Sequence, residues 1–103
     1  MVFIPTITAV SYLNTIPFVY GLKHADNLRA DLLLAPPADC AKNYIEGKAD
    51  IALLPAAVVP ELKQTNIITD YCIGAVGAVR TVVVMSNTPI QNVKRIWLDA
   101  HSR

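Results

Sequence analysis

Ser11, Tyr12 and Asn14 stand together in AVSYLNTIPFVYGL, residues 9–22, a stretch that holds no cysteine, histidine, carboxylate or other charge. Hydroxyl and carboxamide groups of this kind donate hydrogen bonds but hold no proton that titrates near neutrality. Their chemistry is therefore to bind and orient a ligand, an anion above all, rather than to act as strong acids or bases. The elements that must place them are legible on either side. Thr6 to Val10 carries β-branched residues at alternate positions and reads as a strand. Asn14 or Thr15 can cap a helix that follows, and Pro17 falls in its first turn, where a missing N–H costs nothing. Ile16, Val19 and Tyr20 recur at helical spacing, and Lys23 and His24 close the segment near the negative end of the helix dipole. The quoted stretch is thus a strand-to-helix turn, the place where open α/β sheets hold ligands. Two readings of Asn14 stand side by side: a helix cap, and a contact to substrate.

The rest of the chain repeats the alternation. Leu32 to Ala35 is a short, wholly apolar run, the pattern of a strand covered on both faces, and Pro36 with Pro37 stops it. Cys40, Ala41, Tyr44 and Ile45 then share one face of a helix over 37–46, with Asp39 in its first turn and Gly47 suited to the left-handed position after it. Asp50 to Leu54 reads as a third strand. Two crossovers joining three parallel strands are the economical topology. A short helix around 56–63 contends with Pro60. Ile67 to Ile73, Val79 to Met85 and Arg95 to Asp99 read as further strands, and Ser102-Arg103 as the opening of another helix, which suggests a truncated chain.

With 103 residues, 53% of them apolar and 17% charged, the chain is rich enough to build one buried core. A formal net charge of +1 from scattered lysines and arginines gives no footprint for nucleic acid, and the apolar runs are too short and too broken by proline for a membrane span. MVFIPTITAV lacks a basic leader and a small-residue cleavage site, so a cytoplasmic location is expected. Cys40 and Cys72 belong to no metal-spaced set and are expected to be reduced core residues.

SYLNTIPFVYGL, CAKNYIEGKADIALLPAA, DYCIGAVGAVRTVVVMSNTPI and the closing WLDAHSR together resemble the amino-terminal part of the chorismate dehydratases of the futalosine route to menaquinone. The Ser-Tyr-Leu-Asn-x-x-Pro-Phe block at residues 11–18 is the most specific piece, and Ser102-Arg103 is similar to the first half of that family's Ser-Arg-Thr-Ser stretch. The sister family that makes dihydroxynaphthoate in the same pathway shares the fold but opens differently. The resemblance implies an α/β protein like the type II periplasmic binding proteins, with a mostly parallel sheet in each of two lobes. Residues 1–86 would form an incomplete first lobe and 87–103 the crossover into a second. Residues 1–103 alone are expected to be inactive.

The implied reaction dehydrates chorismate to 3-enolpyruvylbenzoate without cofactor or metal. A dicarboxylate substrate wants donors more than acids, and the hydroxyls of Ser11, Ser86 and Ser102 with the amide of Asn14 meet that need. Arg80 alternates with apolar residues, so it is either the exposed face of a strand or a cation facing the cleft, and Arg103 carries the same two readings. Asp99 reads as a turn-holder, His24 as a helix-end residue and His101 as polar surface. No general base is identified. A non-catalytic small-anion binding protein of the same fold and a stand-alone interaction domain are the competing functions.

Overall fold

The computed structural model describes residues 2–101. Ser102 and Arg103, both expected to bind substrate, lie outside the described residues. The chain divides into two units, residues 1–69 and 70–103.

In the first unit, strand β1 (Thr6–Val10) lies between β2 (Asp31–Ala35) and β3 (Ile51–Ala52), all parallel. Thr6 pairs with Asp31 and Val10 with Ala35 on one side, while Ile7 pairs with Ile51 and Thr8 with Ala52 on the other. The three-stranded parallel arrangement expected from the alternation is present. The third strand is shorter than 50–54, although Asp50 N–H donates to the Thr6 carbonyl (2.8 Å) and Leu53 N–H to that of Thr8 (2.9 Å), so the ladder continues past it at both ends. Asp50 also accepts the Thr6 N–H through Oδ2 at 2.9 Å, clamping the start of the pairing.

Burial is concentrated on β1. Ile7, Thr8 and Ala9 are all buried, so both faces of this strand are covered, and Cys40, Ala41 and Ala49 complete the core. Helix α1 (Ile16–His24) connects β1 to β2, and helix α2 (Pro37–Ile45) connects β2 to β3. Helix α2 seats Cys40 and Ala41, and the Cys40 thiol reaches the Ala35 carbonyl at 3.5 Å. Of its other two expected core residues, Tyr44 is half-buried and Ile45 is exposed. The helix ends as Gly47 allows: at φ +72° its N–H donates to Tyr44 O (3.1 Å) and that of Lys48 to Asn43 O (2.8 Å), the paired bonds of a Schellman motif. Beside it the Glu46 carboxylate meets Lys48 at 2.7 Å, and that hydrogen bond holds the carboxyl below its ordinary range.

Three expectations about cover need correction. Leu33 and Leu34 of β2 are exposed, because β2 is an edge strand with a neighbour on one side only. Helix α1 buries no residue, and Tyr20 instead stacks on His24 with ring centroids 4.0 Å apart. The expected helix at 56–63 is a 3-10 helix, Ala56–Glu61, since Pro60 lacks the N–H that an α-helical turn would use there.

The larger correction concerns residues 67–101, where none of the three expected strands forms. Among the described residues of the second unit, the regular element is a single 3-10 turn, Ile90–Asn92. A strand exists only through a neighbour that takes its N–H and C=O groups, and none is supplied here. The apolar side chains stay in water: Tyr71 is 80% exposed and Trp97 86%. Cys72, expected in the core, is exposed for the same reason.

Two consequences are measurable. Cys72 should react with a thiol reagent within the mixing time, whereas Cys40, fully buried, should react only as fast as the first unit opens. The Thr8 hydroxyl is buried with no hydrogen-bond partner among the described residues. Thr8→Val removes that orphan at nearly constant shape and should raise the stability by about 1 kcal/mol in chemical denaturation.

Candidate functional site

In a parallel sheet every strand ends on the same edge. The chain leaves β1 toward β2 on one side, yet the strand after β2 lies on the other side of β1. The carboxyl ends of β1 and β3 therefore flank a topological switch point, the usual crevice of such sheets. Ser11 to Asn14 follow β1 at this edge, and Leu53 to Pro55 follow β3.

Ser11 N–H donates to the Ala35 carbonyl at 3.0 Å, so the first residue beyond β1 is still held by the ladder. Tyr12 is extended, and Leu13–Thr15 form a 3-10 turn that runs straight into α1. Thr15 N–H donates to Tyr12 O (3.1 Å) and Ile16 N–H to Leu13 O. This turn decides the cap question. Thr15 occupies the cap position before α1 with helical angles and makes no side-chain cap bond, and Asn14 lies inside the 3-10 turn rather than at the cap, its Oδ1 accepting from the Thr15 hydroxyl. The cap expected from sequence is replaced by a backbone turn.

The same turn changes where an anion would find its donors. Two backbone N–H groups at the mouth of α1 are engaged, and Pro17 brings none. The side chains of Ser11 and Asn14, both exposed at the edge, are donors placed there. Residues 9–22 carry no charge, so an anion there meets no like charge from this stretch. Two hollows lie elsewhere, at the amino edge: one between Ile4, Leu22, Leu28 and Asp31, the other between Tyr44, Asp50, Glu61 and Leu62. Neither is lined by Ser11 or Asn14.

The remaining expected site residues belong to the second unit. Arg80 sits in a turn, not a strand, so the question of strand face does not arise there; its side chain is exposed. The Ser86 hydroxyl is taken up locally: it donates to Thr88 O (2.9 Å) and accepts the Thr88 N–H (3.1 Å), closing a turn. Asp99 accepts the His101 N–H through Oδ1 at 3.3 Å, in keeping with a turn-holding role. The His24 imidazole donates from Nδ1 to Tyr20 O (2.9 Å), as a helix-end residue should. The structure thus brings Ser11 and Asn14 together on one loop.

Sequence reasoning missed the special place of Thr15, which is fully buried next to exposed Asn14 and donates its hydroxyl to Asn14 Oδ1 at 3.4 Å. The signal was the β-branched residue directly before a proline-led helix, read there only as a cap. Among the described residues no group of histidine, cysteine and carboxylate side chains is placed to hold a metal ion, and no helix is long and apolar enough to cross a membrane.

Because Asn14 makes no cap, Asn14→Ala should change the thermal midpoint little, within about 0.5 kcal/mol, where a true cap would cost about 1 kcal/mol. A calorimetric or circular-dichroism melt distinguishes the two.

Against known proteins, a family described as menaquinone biosynthesis matches residues 5–103, nearly the whole chain. No curated protein and no solved structure gives a significant match. The chain belongs to that menaquinone-biosynthesis family and so has a role in the pathway.

Proposed function

We propose, from membership of the menaquinone-biosynthesis family as the premise, that this chain carries the first lobe of a cytoplasmic chorismate dehydratase. The observation that supports the reading most is the state of Asn14: exposed, free of capping duty, and beside Ser11 at the carboxyl end of the central strand. In a two-lobed protein of the periplasmic-binding type, this edge faces the cleft where substrate is held. Residues 87–103 would lead into the second lobe.

Loss of water from chorismate breaks a ring C–H and the ring C–OH bond. The electron pair left by the proton becomes the last double bond of the benzene ring, and the proton and hydroxide depart as water. No oxidant, reductant or cofactor is needed, and aromatisation drives the step. The competing outcome is loss of the enolpyruvyl ether as pyruvate. Selectivity then rests on orientation, which fixed hydrogen bonds to the two carboxylates provide. Ser11 and Asn14 donate from the first lobe. Arg80, Ser102 and Arg103 are further donors this reading assigns to the substrate, the two arginines pairing with carboxylate, and Ser86 is assigned with them on the condition that its hydroxyl gives up the bond to Thr88 O.

The competing role is a protein of the same fold that binds a small anion without reacting. Incubating the whole gene product that contains this sequence with chorismate, and following the aromatic product by chromatography, separates the two. Conversion to 3-enolpyruvylbenzoate is expected. Binding without conversion would leave the anion-binding role. Asn14→Asp exchanges a donor for a negative charge facing a dianion, so turnover should fall about a hundredfold or more at an unchanged melting temperature. Wild-type turnover in that variant would remove Asn14 from the site.

A further inference from the structure

We infer that Thr15 is a positioning residue that aims the Asn14 amide outward from the carboxyl edge of the sheet; this rests on the reading above in which Asn14 donates to an anionic substrate. Thr15 is fully buried, and its N–H is tied to Tyr12 O at 3.1 Å, so the residue is held by packing and by backbone. Standing before α1, its side chain makes no cap bond. Its hydroxyl donates instead to Asn14 Oδ1 at 3.4 Å. That bond is long, and its hold depends on Thr15 being immobile.

A carboxamide is one plane with an acceptor at one corner and two donor hydrogens at the other. Holding Oδ1 toward Thr15 turns Nδ2 outward. Without that hold, an exposed asparagine has a broad, nearly two-fold terminal torsion and offers oxygen as readily as nitrogen. The reverse placement would present an acceptor to a dianion, the wrong polarity. Burial strengthens the arrangement from the inner side, since a hydroxyl taken out of water and left without an acceptor is penalised. Thr8, whose buried hydroxyl has no partner among the described residues, shows the contrast on the same sheet.

The test compares wild type, Thr15→Ser and Thr15→Val in the whole gene product, labelled with 15N at asparagine side chains. The Asn14 amide pair is identified by its disappearance in Asn14→Asp. In wild type it should relax as an ordered group, unlike that of exposed Asn27. Thr15→Val, which keeps the buried shape and loses the hydroxyl, should make the Asn14 amide as mobile as Asn27 and lower kcat for chorismate about tenfold. Thr15→Ser should restore both. An Asn14 amide as mobile as Asn27 in wild type, or unchanged order and turnover in Thr15→Val, would overturn the inference. Should Thr15→Val fail to fold, the wild-type amide and Thr15→Ala decide it. If wild type leaves chorismate untouched, the proposed reaction fails, and the amide relaxation still decides the role of Thr15.

Discussion

The structure depends on one strand serving two parallel ladders at once. β1 gives its N–H and C=O groups to β2 on one side and to β3 on the other, so it has no free edge, and its central residues have no free face. Side chains in such a place must be apolar or small, and Ile7, Thr8 and Ala9 satisfy this with one blemish, the Thr8 hydroxyl. Everything proposed about the site follows from that rigidity. The ladder extends one residue beyond the strand, through Ser11 to Ala35, so the loop bearing Asn14 starts from a fixed point rather than from a fraying end.

What could be read from the sequence was what depends on near neighbours along the chain. β1 was placed to the residue by its β-branched alternation, the end of β2 by Pro36 and Pro37, and the end of α2 by Gly47, which needs its left-handed angles for the Schellman bonds. The failures share one cause. Ile67 to Ile73 and Val79 to Met85 have the composition of buried strands, but composition states what a segment would need, not whether a neighbour provides it. Leu33 and Leu34 err the same way on a smaller scale, since an apolar run cannot announce that its strand is an edge.

The site divides along the same line. That residues 9–22 offer donors and no charge is a matter of residue type and could be read directly. That Asn14 does not cap α1 could not, because a 3-10 turn and a capped helix start draw on the same residues: a small polar group, then proline. The choice between them is made by Thr15. Once it is buried, the turn is drawn tight, and the asparagine before it is left on the surface.

The strand order has a consequence in time as well as in space. During synthesis the central strand leaves the ribosome before either of its flanks, and Ile7 must wait for Ile51 before its second ladder can close. Until then the central strand of the sheet is held in an incomplete pairing. Closing non-local, parallel ladders is slow compared with helix formation. The nascent chain therefore passes through a stage in which β1 has one ladder without its native partner, which closes only once residues 51–52 are available.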